Sequence, residues 1–302
     1  MSVELSPVDR LKQSAAIRNP LVRNLLSEFF GTFMLLFIGL TIVMQFILTH
    51  EKLNTWININ MGWGFAITFC VMMTSQTSGG HLNPAVSFLM VTLGKLSVPH
   101  FFLYSIVQTA GAFIGAFLSY LVYYDQFQKF SGDRRVLVGA LGSAGCFCSF
   151  PGTHVSNLTA FFDQVAGTGL LCLFLCVIVD KRNKIPDMLH PICFGLLLIM
   201  IGCSMGMNLG YPINPARDLG PRLFAYFIYG KEVFTYHNNY FWIPVVAPFF
   251  GAVLGGWSYH LFVGIHIEDP DIDEERPVQR MIEDGEKSDR AEHKRLIKGD
   301  NH

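Results

Sequence analysis

The residues best placed to do chemistry are two copies of Asn-Pro-Ala, Asn83-Pro84-Ala85 and Asn214-Pro215-Ala216. Proline is favoured at a first helical position, where its missing N–H would be unpaired anyway. Asparagine just before it is a good N-cap. Each triplet therefore reads as a helix start, and each falls where an otherwise spanning apolar segment is broken, at Gly79-Gly80-His81 and at Gly210-Tyr211-Pro212. Interrupted segments at matching positions of two halves point to a transport site near the bilayer midplane. Arg217 follows the second triplet. It could be an ion-pair partner, but an isolated arginine in a span is costly and functional by default. His81 has no second His or Cys at ligand spacing, so it reads as a packed loop residue and no metal site is expected. No nucleophile or phosphate-loop motif argues for an enzyme, and no cofactor is expected.

Elements must exist to hold these residues. Of 302 residues, 51% are apolar and 15% charged. The apolar residues fall in runs of the ~20 residues needed to cross a bilayer, so the chain reads as a polytopic membrane protein. Spans are expected over 25–48, 57–74, 101–123, 158–179, 189–207 and 240–264, with short half-helices over 84–93 and 215–227. A polar, basic segment (1–24) precedes this channel domain (25–265), and a charged tail (266–302) follows it. Residues 1–20 lack the apolar core of a cleavable signal. Six spans put both termini on one side. Arg10, Lys12, Arg18, Arg23, Lys95, Lys181, Arg182 and Lys184 lie there with the tail's basic residues, against Lys52, Lys129, Arg134, Arg135 and Lys231 opposite. The positive-inside rule then makes that side cytoplasmic. A formal net charge of −1 leaves no nucleic-acid footprint. Cys70, Cys172, Cys176, Cys193 and Cys203 lie in apolar runs and read as buried free thiols. Cys146 and Cys148, in a long loop over 124–156, are too close together for easy pairing.

The halves (25–124 and 158–265) repeat. Glu28-x-x-Gly31-Thr32 matches Gln164-x-x-Gly167-Thr168. Gly64 and Gly195 stand at the same distance before Asn-Pro-Ala. Gln108-x-x-Gly111-Ala112-x-x-Gly115 matches Pro248-x-x-Gly251-Ala252-x-x-Gly255. Three spans per half force opposite orientations, an inverted repeat, and small residues at spacing four allow close helix crossing.

On the paired Asn-Pro-Ala triplets, Ala216-Arg217 and the repeated glycines, the chain resembles the aquaporin/glycerol-facilitator (major intrinsic protein) family over residues 25–265. Asp218, Arg222 and Pro244-Val245 resemble the markers of its aquaglyceroporin subclass. The resemblance implies an all-α membrane protein of six transmembrane helices plus two half-helices. The half-helices would meet N-terminus to N-terminus, each start carrying roughly +0.5 charge. It further implies a lumen with a ladder of carbonyls at Gly79, Gly80, His81, Gly210 and Pro212, amide donors at Asn83 and Asn214, and an apolar opposite wall. Trp63, Gly202, Tyr211 and Arg217 match an outer selectivity ring, with Gly202 leaving open space. Trp63 and Tyr211 could instead be lipid-interface aromatics. Glu28 and Gln164 match side chains that hold the broken loops. Asp218 and Arg222 are expected to pair locally or cap without touching solute.

The implied function is a passive, plasma-membrane, homotetrameric channel for glycerol and water, with urea and other small neutral solutes as further candidates, excluding protons and ions. The competing readings are a water-selective channel and a junctional membrane protein with a vestigial pore. Pro212 should restrict Tyr211 to extended backbone. Asp163 receives no role. Asn157-Leu158-Thr159 is a glycosylation sequon lying almost against the fourth span.

Overall fold

A computed structural model describes residues 5–268. Most of the charged tail, including its acidic stretch from Asp269, lies outside the described residues. The described chain is helical, in the order α1 (Pro7–Ala15), α2 (Pro20–Leu48), α3 (Trp56–Ser78), α4 (Pro84–Thr92), α5 (Val98–Val122), α6 (Tyr124–Ser131), α7 (Asn157–Val179), α8 (His190–Met205), α9 (Pro215–Tyr229), α10 (Glu232–Asn239) and α11 (Ile243–Phe262). Among the described residues six segments are long and apolar enough to cross a membrane: α2, α3, α5, α7, α8 with its preceding turn, and α11 with its flanks.

Helix ends follow local chemistry. Asn19 accepts from the N–H groups of Leu21 and Val22 with Pro20 at the first position, so α2 starts earlier than residue 25. α3 runs on to Ser78, past the expected break at Ser75, because Gly79 (φ 89°) is the first residue that favours the left-handed cap. The expected loop over 124–156 holds α6 and a short 3₁₀ turn, Ala144–Cys146. Cys146, Phe147 and Cys148 in it are buried. All the described cysteines are free. Cys203 is exposed, contrary to expectation, because inward-facing Ile201 and Gly202 turn the next residue of α8 outward.

The inverted repeat is visible in the packing. α2 packs on α3 and α5, and α7 packs on α8 and α11. The halves then exchange partners: α4 lies against α11 and α9 against α5. α3 and α8 cross at the centre, where Gly64 and Gly195 face each other. A Cβ on either would lie 2.7 Å from the other's carbonyl oxygen, so neither position accepts a side chain at this crossing. At the end of the bundle that carries the termini, Arg182 pairs with Asp180 at 2.7 Å and holds its carboxyl well below the usual carboxylate range. Tyr259 also donates to Asp180, tying α11 to the α7–α8 connection.

Candidate functional site

The two breaks are built on left-handed backbone. Gly79, Gly80 and Leu82 have positive φ in the first, and Gly210, Tyr211 and Ile213 in the second. Tyr211 (φ 44°) is therefore not extended as expected ahead of Pro212. The rule for a residue before proline excludes the right-handed helical region, and the surrounding bonds force a turn here. Non-glycine residues in such conformations cost about 1–3 kcal/mol each and persist where the surroundings over-determine them.

What over-determines them differs between the halves, for a reason visible in the chain. Glu28 Oε1 accepts from the N–H of His81 (2.9 Å) and the hydroxyl of Ser78 (2.6 Å). Its Oε2 accepts from the N–H of Leu82 (2.7 Å) and from Gln108 Nε2 (2.8 Å). In the second break the residue matching His81 is Pro212, which has no N–H. Only Ile213 needs an acceptor, and Gln164 Oε1 supplies it at 3.0 Å. The other end of that amide donates to Asp163 Oδ1, while Asp163 Oδ2 takes Asn208 Nδ2 at 2.9 Å. Asp163, given no role from sequence, is thus the anchor of the second break's support.

The triplets cap as expected and also lock the halves together. Asn83 Oδ1 accepts from Ala85 N–H (2.8 Å), and Asn214 Oδ1 from the N–H groups of Ala216 (3.0 Å) and Arg217 (3.2 Å). Asn83 Nδ2 donates to the carbonyl of Ile213 at 3.0 Å, and Asn214 Nδ2 to that of Leu82 at 2.9 Å. The two helix N-termini are thereby drawn face to face. An amide nitrogen carries two hydrogens, so each of these bonds leaves one per asparagine. Asn83 and Asn214 both line a narrow cavity of about 90 Å³. Gly80, His81, Gly210 and Pro212 line it too, as do the apolar side chains of Leu171, Leu175 and Phe194. Gly79 is not among its lining residues and serves as the α3 cap. The His81 ring is packed, its Nδ1 3.0 Å from Ser87 Oγ and its centroid 5.4 Å from that of the tilted Tyr104 ring.

A wider vestibule of about 410 Å³ opens above. Trp63, Gly210, Tyr211, Pro212 and Arg217 line both cavities and so mark the neck between them. The Arg217 guanidinium stands 5.1 Å from the Trp63 ring centroid and donates to the Phe147 carbonyl at 2.9 Å.

Gly202 lines neither cavity. The open space expected beside it is filled: a Cβ there would lie 2.6 Å from Asn60 Oδ1 and 2.7 Å from Tyr211 Cζ. Gly202 makes room for another residue pair, not for solute. Gly202→Ala should therefore push the Tyr211 ring towards the neck, an overpacking that costs about 1–3 kcal/mol. Glycerol permeability should fall more than water permeability in vesicles of equal protein content. Equal falls, or none, would remove Gly202 from any account of the neck.

Asp218 and Arg222 are fully buried and pair with each other, Nη2 to Oδ1 at 2.7 Å. Arg222 also donates to the carbonyls of Ser149 and Val233. Pro244 is buried and Val245 half-buried in the first turn of α11. Asn157 spends its amide on the carbonyls of His237 and Asn238. Sequence reasoning missed Asn60, Gln108, Asp163 and Phe147. For the first three a signal existed, a polar side chain inside an apolar span. Phe147 acts through its backbone, which leaves no mark in the sequence.

Among the described residues, six spans around a lumen and its vestibule, with half-helices meeting at that lumen, define an integral multi-pass membrane channel. The family model described as Major intrinsic protein matches residues 15–259. Aquaporin-9 of Mus musculus is 44% identical over 263 residues, covering 86% of this chain and 89% of that protein. Aquaporin-10 of Homo sapiens is 38% identical, covering 83% and 84%. The X-ray structure of the aquaglyceroporin from Plasmodium falciparum superposes with a TM-score of 0.73 at 31% identity, covering 81% of this chain and 98% of that one. The chain belongs to the major intrinsic protein family, in its aquaglyceroporin branch.

Proposed function

We propose that this protein is a passive channel for glycerol and water that excludes protons and ions. One observation carries the reading: the neck shared by lumen and vestibule sets two aromatic residues, Trp63 and Tyr211, against a single cation, Arg217. The aromatic faces suit the carbon backbone of a polyol, and the guanidinium donates to its hydroxyls. Farther in, the remaining amide hydrogens of Asn83 and Asn214 offer donors in mid-lumen. Carbonyls of the two breaks offer acceptors along one wall. Opposed helix starts, each with roughly +0.5 charge, and Arg217 repel cations, protons included. Urea and similar small neutral solutes fit the same chemistry. The basic residues on the terminal side support cytoplasmic termini, with the plasma membrane as the site of action. Exposed apolar faces such as Phe65 and Phe69 on α3 suit lipid or a homotetramer contact.

Stopped-flow light scattering of proteoliposomes tests this. Sucrose and glycerol gradients should both relax through the protein, with no proton conductance in parallel dye measurements. Glycerol uptake that requires a sodium or proton gradient would overturn the channel reading.

A further inference from the structure

Tyr211 presents only half of its chemistry to the neck. Its hydroxyl donates to Asn60 Oδ1 at 2.7 Å, and Asn60 is fully buried and lines neither cavity. We infer that Asn60 is a positioning residue for solute selection: by accepting the Tyr211 hydroxyl it holds the polar end of the phenol out of the neck, so that solute meets an aromatic face there. The inference rests on the proposed glycerol channel and adds a residue that sets its selectivity.

Three features point the same way. Asn60 lies one helical turn before Trp63 on α3, so one helix face supports both aromatic residues of the neck. Gly202 is bare where Asn60 and Tyr211 meet, and a Cβ there would collide with both. Trp56 closes the assembly from outside. Its Nε1 donates to the Gly202 carbonyl at 3.2 Å, and its ring stands edge-on to Tyr211 at 88° with centroids 5.9 Å apart. Asn60 Nδ2 has only Cys203 Sγ near it, at 3.6 Å, a weak acceptor. The strong bond of this buried amide is therefore the one to Tyr211. If that acceptor is lost, the hydroxyl is orphaned in an apolar wall. The polar surroundings left to it are the water and solute of the neck, and reaching them brings the ring inward. Glycerol, the wider solute, is obstructed before water is.

The test is a double-mutant cycle in proteoliposomes at equal protein content, reading the glycerol-to-water permeability ratio. Asn60→Leu removes the acceptor at similar volume, and Asn60→Ala removes it without crowding should the leucine variant fail to assemble. Each is made alone and in the Tyr211→Phe background. In the parent background the ratio should fall about fivefold, the factor that corresponds to one net hydrogen bond. In the Tyr211→Phe background the same substitutions should change the ratio less than about twofold, since no hydroxyl remains to be released. A purely structural role for Asn60 predicts equal falls in both backgrounds, and that result, or no fall in either, overturns the inference while the parent still conducts glycerol. A parent that passes water but no glycerol overturns the proposed glycerol conduction first, and this inference with it.

Discussion

Arg222→Met should lower stability by about 3–5 kcal/mol, the range for removing one partner of a buried ion pair. The guanidinium is fully buried and makes three hydrogen bonds. Its Nε donates to Asp218 Oδ1 at 2.8 Å, and two other nitrogens donate to the carbonyls of Val233 and Ser149, each at 2.7 Å. Asp218 Oδ2 accepts from the Ser149 N–H at 2.9 Å and from its hydroxyl. The pair thus fastens α9, the connection before α7, and α10 into one unit. Methionine fills much of the arginine's volume, so the loss is chiefly electrostatic. It leaves the Asp218 carboxylate without its cation in a site that excludes water. Thermal unfolding in detergent should show the drop directly.

The consequence reaches the neck. Phe147, whose carbonyl holds Arg217, is two residues from Ser149 in the same connection. Loosening that segment frees Arg217, so the Arg222→Met protein that does assemble should discriminate less well between glycerol and larger polyols. Arg222→Met/Asp218→Asn removes both charges, keeps an oxygen for the Ser149 N–H, and should be more stable than the single variant, because the penalty lies in the unpaired carboxylate. Equal stability of single and double variants would show that the carbonyl contacts, not the charge pair, carry the effect.

The contrast between these residues and the Asn-Pro-Ala triplets shows what the sequence could disclose. Asn83-Pro84 and Asn214-Pro215 declare helix starts because capping and the proline ring act within a few residues. The local i to i+4 pairing of Asp218 with Arg222 was legible for the same reason. Their grip on Ser149 joins segments far apart in the chain, and no spacing rule reports such a contact. Gly202 was legible as a needed small residue, yet its neighbour was not: bare backbone serves a void and a packed side chain equally well. Tyr211 escaped the expected extended backbone because tertiary bonds outweighed a local preference. Trp63 and Arg217 were named from resemblance, and the cavities place them together. Asn60 was passed over because a polar residue in a span signals importance without naming its partner.

Glu28→Gln should be the most damaging conservative change in the first half, and the matched position in the second half explains why. Four donors converge on the two oxygens of Glu28: two backbone N–H groups, one hydroxyl and one amide. A glutamine there offers one oxygen and turns an NH₂ group towards donors. Two donors then lose their acceptor. Each buried orphan costs about 1–3 kcal/mol, so roughly 2–6 kcal/mol is at stake. Gln164 tolerates being an amide because Pro212 presents no N–H, leaving only Ile213 to be satisfied. Glu28 has no such relief, since both His81 and Leu82 carry N–H groups that point to it. Leu82 also supplies the carbonyl that takes Asn214 Nδ2, so a loosened first break releases the opposite triplet. Glu28→Gln should therefore lower thermal stability in detergent, and whatever protein reaches the bilayer should lose glycerol permeability. Ser78→Ala is the graded control: it removes one donor from Glu28 and the acceptor of one N–H, that of half-buried Gly80 at 3.2 Å, and should cost less than the glutamine substitution. Near-parental stability and flux for Glu28→Gln would mean that the first break does not depend on its acceptors, and the explanation offered for Pro212 and Gln164 would fall with it.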